Sequence, residues 1–477
     1  MQQLMWFRND LRIHDNTALH AALQAGPTVA VFIISPAQWL SHHDAACKID
    51  FILRNLVELE HSLSTLNVPL LIRYADYWHQ IPQVLTQVCQ ELNISAVQVN
   101  TEYGIYESQR DIAVGTDLVD QGILFHSHLD RILFKPGTVL TQSGTYFKVF
   151  SQFRKVCYQY LYEQLPQCID TPRPQAALAL ESDAIPTEVA GFASIDTARQ
   201  ALWPAGEKVA QQRLDVFAKS TISAYDEQRD LPAKAGTSQI SSYLVSGVVS
   251  IRHCLHAALS ANQGEFATGN TGVVTWVSEL LWREFYVHIL VGYPHVSRHR
   301  AFKPDTEAVA WRDAPKELLA WQEGRTGFPI IDAAMRQLLA TGWMHNRLRM
   351  IVAMFLTKNL LIDWREGERF FMQHLIDGCL AANNGGWQWS ASTGTDASPY
   401  FRIFNPISQS KRFDPNGDFI RRWVPELKHL SAKEIHQPKL LSGLFGTADY
   451  PKPLVDLSAT RQRAIAAFKE LNGASTT

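Results

Sequence analysis

Three stretches combine residue types that neither a packed core nor a wet surface usually gathers. Within Val273–Val291, Glu279, Trp282, Arg283 and Tyr286 fall at i, i+3, i+4 and i+7, so a helix would line them up on one face. Core faces seldom hold Glu and Arg, and solvated faces seldom hold Trp. The pattern fits a pocket wall, or an internal salt bridge under a lid. Within Trp343–Leu361, Asn346, Arg349 and Met350 share a second such face with Arg347 beside it. A buried Arg there needs an anion, and Asp377 is the candidate. The third stretch, Asp377 to Pro406, reads DGCLAANNGGWQWSASTGTDASPYFRIFNP and has neither helical period nor strand alternation. It interleaves Asn, Gly, Ser and Thr with Trp387, Trp389, Tyr400, Phe401 and Phe404. It reads as a long loop, either packing two helical layers or lining a pocket. Small residues admit a flat ligand and aromatics supply dry walls, which favours the pocket.

A smaller signal is Gly236-Thr237-Ser238-Gln239-Ile240-Ser241, which leads into a helical pattern near Tyr243. Hydroxyls and free N–H groups at a helix start can hold phosphate, although on pattern alone an ordinary N-cap is the simpler reading. Trp311, Trp364 and Trp387 are far apart in sequence and by pattern read as core residues.

The elements that must position these groups change along the chain. Residues 1–130 alternate strand candidates (Leu4–Arg8, Val29–Ile34, Leu70–Tyr74, Ala96–Asn100, Leu124–His128) with helical patterns such as Asp50–Leu66. Such alternation predicts an α/β domain with a five-stranded parallel, Rossmann-like sheet. The first strand–helix turn, Asn9 to Asn16, holds no glycine, which excludes the dinucleotide fingerprint and the phosphate loop. Residues 131–205 lose the period and gain prolines, as a connector wrapping the surface would, with a helix near Phe147–Leu165. Residues 206–477 read as an all-α domain, with good helices at Val273–Val291, Ile330–Thr341, Trp343–Leu361 and Arg365–Ile376.

The charge is uneven. Residues 1–130 hold 6 Lys+Arg against 14 Asp+Glu, and the remainder 38 against 32, so a polyanion would sit on the C-terminal part. The 6 cysteines are scattered without metal spacing, which predicts reduced thiols in a cytoplasmic protein. No window offers about 18 uncharged apolar residues, so no membrane span is expected. The apolar run Leu4–Phe7 reads as a buried strand rather than a secretory signal.

MWFRNDLRIHDN at 5–16, GTSQISSYL at 236–244, ELLWREFY at 279–286, WQEGRTGFPIIDAAMRQL at 321–338, GWMHNRLRM at 342–350 and the 377–406 stretch together resemble the DNA photolyase/cryptochrome family. WMHNRLRM and NNGGWQW are most similar to the bacterial class I cyclobutane pyrimidine dimer photolyases. Where the 6–4 enzymes place a pair of histidines, this chain has Met344 and His345 nearby.

The resemblance implies a monomeric light-driven lyase with FAD in the helical domain and no metal. Reduced, anionic FAD would lend an electron to a pyrimidine dimer and recover it after both bonds break. It implies that Tyr225, Thr237, Ser238, Gln239, Ile240 and Ser241 hold the phosphates and ribityl chain, and that Trp276, Arg349, Asp377, Gly378, Cys379 and Asn383 surround the rings. Asn383 would face N5, where a neutral amide favours the reduced state. Photolyases are among the enzymes that extrude their target bases from the stack. Trp282, Trp389 and Met350 would pack against the flipped pyrimidines, and Glu279 would bond their edges. Arg229, Arg283, Asn346, Arg347, Arg402, Gln409 and Arg412 would meet the damaged DNA strand. Trp387, Trp364 and Trp311 match the family's electron relay, which overturns the core reading given by pattern. His42, Tyr106 and Glu107, with Trp39 nearby, match an antenna site and imply 5,10-methenyltetrahydrofolate, although Tyr106 stands where asparagine is common.

Two departures bear on cofactor strength. Cys379 stands where the family has a second aspartate, and Gln239 replaces an arginine of the phosphate turn. The rival readings are a cryptochrome-type photoreceptor without repair and a conventional flavin or nicotinamide oxidoreductase. The short end of the chain, LNGASTT after residue 470, speaks against a long output arm, and the glycine-free first turn speaks against the oxidoreductase.

Overall fold

Runs of Val, Ile, Leu and Phe buried on both faces make the centre of the expected parallel sheet. In the computed structural model, which describes residues 1–438 and 450–474 with side chains as far as Leu471, five strands run β1 Gln2–Phe7, β2 Thr28–Ile34, β3 Leu70–Tyr74, β4 Ile94–Asn100 and β5 Leu124–His128. Their spatial order is β3-β2-β1-β4-β5, every pair parallel. Leu4 aligns with Val29 on one side and Val97 on the other, so apolar side chains stack across the sheet centre. Helices Thr17–Ala25, Ala46–Ser64, Ile81–Glu91 and Ile105–Asp120 are the crossovers. Leu4, Trp6, Val31, Leu71, Val97 and Val99 anchor the core beneath them. Truncating one such Leu to Ala costs about 2–5 kcal/mol.

Strand order reverses between β1 and β4, the place where open α/β sheets bind nucleotides. Here that crevice is filled by the protein. Asn100, at the end of β4, donates to Asp10 Oδ2 (2.8 Å) and Asn16 Oδ1 (2.9 Å), while its own Oδ1 accepts from Ala18 N (3.1 Å). Arg12 and Arg252 both reach Asp130 (2.6 and 2.8 Å), and Arg252 also holds Asp15 (2.9 Å). Burial alone would raise the Asp130 carboxyl, but Arg12 and Arg252 outweigh it and hold it at about 2. The absent glycine motif thus has a structural counterpart: the turn is closed by charge pairs.

The connector does more than wrap. It forms a helix at Phe150–Glu163, then runs irregularly alongside the free edge of β3. Asp183 N donates to Leu70 O (2.9 Å), and Leu70 N and Ile72 N find Ser182 Oγ (3.1 Å) and Asp183 Oδ2 (2.9 Å). Ladder groups that would invite another strand are satisfied.

The chain groups into two compact units. The first comprises Met1–Ser223, Ser238–Pro294 and Ile376–Cys379, and the second Ala224–Thr237, His295–Leu375 and the chain from Leu380 onward. In the first, the helix expected at Val273–Val291 spans Thr271–Gly292, started by Asn270, whose side chain accepts from Val273 N (3.0 Å). In the second, the Pro329–Thr341 helix begins with proline and stops at Gly342 in the left-handed region (φ 72°), a stop that glycine makes without strain.

Two expectations are corrected in the second unit. The helix foreseen at Trp343–Leu361 starts only at Asn346, capped by His345, and after Met354 it widens into a π-helical turn, Phe355–Leu360, ended by Leu361 at φ 54°. The stretch 377–406 is not a loop throughout, since Leu380–Ala391 is a helix. Its buried residues, among them Ala381, Asn383, Asn384, Trp387, Gln388 and Ser390, share one half of the axis, but amides and a hydroxyl sit among them, so no apolar stripe marks the period. Gly385 and Gly386 in its interior lower its intrinsic propensity, which tertiary packing overrides. The end of the LNGASTT tail, residues 475–477, lies outside the described residues.

Candidate functional site

In the first unit, the Thr271–Gly292 helix presents the face that its spacing foretold. Trp276 turns inward (3% exposed) against Phe217, ring centroids 5.3 Å apart, while Glu279, Trp282, Arg283 and Tyr286 are all half-buried. Trp282 lies flat on Phe150 (3.7 Å, 14° between planes) with Tyr286 5.6 Å away. One indole face is therefore spent on packing, which fixes the ring's attitude. Arg283 donates to Arg131 O (2.7 Å), and its burial lowers its proton affinity. Ser241, first residue of the short Ser241–Val245 helix, donates to Asp377 Oδ2 (2.6 Å), so the phosphate-turn candidate and the head of the 377–406 stretch do meet. Gln239 takes a left-handed backbone (φ 49°) and accepts from Arg213 Nη1 (3.1 Å), a cation that returns charge beside the position where arginine was missed. Gly378 is buried and Cys379 half-buried.

Also in this unit, His42 sits edge-on to Trp78 (4.8 Å) and 5.6 Å from Tyr106, with Gln38 on its Nε2 (2.9 Å). Burial lowers the proton affinity of His42 and raises that of Glu107, which lies over Gly104. The antenna candidates are thus brought together. A separate cleft of about 630 Å³, lined by His14, Cys168, Lys219, His253 and His256, holds none of the candidate residues.

In the second unit, Trp364 and Trp387 are buried in one apolar cluster, and Trp311 packs at its partly exposed margin. Trp387 is edge-on to Phe371 (4.9 Å) and Trp321 (6.0 Å). Gly367 is needed here, because a Cβ would stand 2.1 Å from the Trp387 ring. The Trp387 N–H has no partner among the described residues. Four residues earlier on the same helix face, Asn383 donates its amide N–H to Glu368 O (2.9 Å). Its carbonyl oxygen accepts nothing from the described residues. Arg349 Nε donates to Met344 O (2.8 Å). Trp389 is half-buried.

The cationic candidates of this unit form an aromatic-backed group. Arg347 makes a forked pair with Asp230 (2.7 Å to each oxygen), touches Met350 Sδ (3.7 Å) and lies over Phe413 (4.6 Å). Arg412 covers the same ring (5.0 Å), and Arg229 lies over Tyr225 (5.6 Å). Asp230 offsets one of these charges, so Arg347 is held in place as much as offered. Asn346, Arg402 and Arg412 are exposed, and Gln409 is half-buried. Burial pushes His345 down to about 4, leaving it neutral at the helix start. Gly236 packs so closely on Gln228 that a Cβ would meet its Cβ at 2.6 Å.

Comparison with known proteins gives these placements a context. The family model described as "DNA photolyase" matches residues 3–174, and "FAD binding domain of DNA photolyase" matches 276–470. The chain is 43% identical to the Escherichia coli protein named deoxyribodipyrimidine photo-lyase, over 98% of each chain. The chain belongs to the DNA photolyase/cryptochrome family. Among solved structures, the family's fold recurs in a bacterial class III photolyase from Agrobacterium tumefaciens (33% identity, TM-score 0.85, 99% of this chain and 98% of that one). It recurs equally in a Synechocystis cryptochrome (28%, TM-score 0.86, 98% and 99%), so fold alone does not separate repair from signalling.

The donor set fits the family's FAD. A flavin edge offers both ring N–H and acceptor atoms, and the Leu380–Ala391 helix holds an amide oxygen and an indole N–H that the described residues leave without partners. Pattern reading missed Phe150, Asp230, Glu368 and Arg213. Each is distant in sequence from the group it touches, and none carries a spacing signal.

Proposed function

We propose that this family member is a light-dependent deoxyribodipyrimidine photo-lyase that splits cyclobutane pyrimidine dimers in UV-damaged DNA. Its full-length likeness to an enzyme of that name carries the reading. When bound, reduced FAD supplies the light-absorbing electron donor of the reaction. On this reading, Tyr225, Thr237, Ser238, Gln239, Ile240 and Ser241 bind its phosphates and ribityl chain, and Trp276, Arg349, Asp377, Gly378, Cys379 and Asn383 bind its rings. The half-buried carboxylate of Glu279 bonds the extruded bases. Trp282, already backed by Phe150, offers its remaining face to them, together with Trp389 and Met350. Trp311, Trp364 and Trp387 carry electrons inward from the margin of their shared cluster.

Arg229, Arg283, Asn346, Arg347, Arg402, Gln409 and Arg412 bind the DNA strand. Residues 1–130 form the antenna domain, where His42, Tyr106 and Glu107 hold methenyltetrahydrofolate. Residues 131–205 link it to the catalytic residues 206–477, and the protein works as a cytoplasmic monomer. The test is an absorption spectrum of the purified protein, then illumination with an oligonucleotide bearing a thymine dimer. A yellow or blue flavoprotein that restores intact thymines supports the proposal. A flavoprotein that leaves every dimer intact favours the cryptochrome reading.

A further inference from the structure

Asn383 does not orient itself. Its amide N–H is fixed on the backbone oxygen of Glu368, and the next residue, Asn384, donates to the Glu368 carboxylate (2.7 Å). Two consecutive asparagines of the Leu380–Ala391 helix are thus tied to one residue of the Trp364–His374 helix. Asn384 in turn accepts from Gln388 Nε2 (2.9 Å), which also reaches Arg300 O (3.2 Å), and Gln388 Oε1 accepts from Phe302 N (2.7 Å). The segment 296–302 is therefore stapled to the asparagine helix.

The other carboxylate oxygen of Glu368, a residue only 2% exposed, takes His299 Nδ1 at 3.1 Å. Among the described residues, no other charged group is paired with that carboxylate. A buried carboxylate held by one cation depends heavily on it. His299 also has a left-handed backbone (φ 57°), uncommon and strained for a side chain with a Cβ. It is held there from two directions, by Glu368 and by Arg365 Nε on its carbonyl (2.7 Å). Its own side chain is 59% exposed. A surface histidine thus ends a chain of bonds that begins at the amide assigned to the flavin.

We propose that His299 is a positioning residue for the cofactor: by clamping Glu368 it fixes the attitude of the Asn383 amide. This rests on the reading that Asn383 faces the flavin. The groups facing His299 are Glu368, which favours its protonated form, and Arg365 and Arg369 on the same helix, which oppose it. Arg298 and Arg300 flank it in sequence. Arg365 is itself paired with Asp363 and Glu307 (3.0 and 2.7 Å), and Arg369 with Glu366. The Glu368 bond outweighs partial burial and raises the His299 proton affinity above its ordinary value of 6.5. The clamp is accordingly complete below that pH and released as pH climbs through the raised value.

The test uses the FAD-loaded protein. Absorption fine structure and midpoint potential of the bound flavin are followed from acid to alkaline pH, alongside an NMR titration of the His299 ring. In the wild type, a flavin step tracks the His299 titration. His299→Gln abolishes the step and speeds FAD loss on dilution by roughly tenfold, the scale of removing a residue that orients a ligand-binding group. His299→Lys, charged throughout, restores retention without the step. Identical flavin profiles in wild type and His299→Gln overturn the proposal, as does a His299 titration at or below 6.5. Asn383→Ala separates the two layers. A flavin that responds to it but not to His299→Gln overturns the role of His299 alone, whereas a flavin indifferent to Asn383→Ala overturns both.

Discussion

Two polar clusters built on asparagine sit at the places where a protein of this architecture could hold a ligand, and they are finished differently. At the β1/β4 switch point, Asn100 donates twice and accepts once, Asn16 does the same work for the first helix, and the neighbouring carboxylates are matched by arginines. On the Leu380–Ala391 helix, Asn383 donates once and its oxygen takes nothing from the described residues, and the Trp387 N–H is likewise unmet. A buried network whose carboxylates and amides all have partners fixes a fold, even though Arg12 Nε here stays unpaired among the described residues. The buried Trp387 N–H, left without a partner among the described residues, costs stability until something external completes it. The contrast supports the proposed reading, in which the switch point is structural and the asparagine helix faces the cofactor.

The largest expected effect lies in the open cluster. Trp387→Phe should abolish photoreduction of oxidised FAD while leaving repair by enzyme reduced beforehand; transient absorption and a dimer-repair assay read the two separately. Loss of both would mean that Trp387 supports the flavin site itself rather than a relay. Next is a change in the closed cluster. Asp130→Ala leaves Arg12 in the interior without its carboxylate, while Arg252 keeps Asp15, and should cost about 3–5 kcal/mol in denaturant unfolding, with FAD content per folded molecule unchanged. If flavin content falls first, the division between structural and chemical clusters is wrong. The same residue predicts acid behaviour. Its proton affinity falls on folding from 3.8 to about 2, so its contribution is full above 3.8 and lost as pH drops through about 2. Asp130→Ala should flatten that limb of the stability curve. Smaller again, Glu279→Gln should lower the quantum yield of repair several-fold, roughly 1 kcal/mol, without changing FAD retention. An unchanged yield removes Glu279 from the bond-breaking step.

The sequence pattern disclosed the closed region better than the open one. Runs such as Val29–Ile34 and Leu70–Tyr74 are strands within a residue of their expected ends, because a sheet buried on both faces writes itself as continuous apolar residues. The Glu279–Trp282 face was legible for a related reason, since one helix carries all of it at 3–4 spacing. The Leu380–Ala391 helix was not legible, because its buried half carries Asn383, Asn384, Gln388 and Ser390 where an amphipathic period needs apolar residues, and Gly385-Gly386 argues locally against a helix. Nor could pattern reach His299–Glu368 or Arg347–Asp230, whose partners lie 69 and 117 positions apart. Tertiary partners of this kind leave no periodic trace, and they are what distinguishes a finished cluster from an unfinished one.

The smallest effect tests whether the first unit also leaves something unfinished. Cys379 follows Asp377 and Gly378, and Asp377 is already engaged by Ser241. A thiol there is a weak acceptor, and its charge interaction with Arg283 does little against the burial that lowers the proton affinity of that guanidinium. Cys379→Asp would place a full carboxylate in the same position, easing the Arg283 penalty and adding a strong acceptor toward the ligand. The expected gain is modest, roughly 0.5–1 kcal/mol, because the residue is half-exposed and solvent screens the new charge. It should appear as a two- to fivefold slower loss of FAD during dialysis, with the unfolding midpoint of the FAD-free protein nearly unchanged. Equal rates of loss would show that the thiol already completes its surroundings, and would confine the unfinished bonding to the asparagine helix.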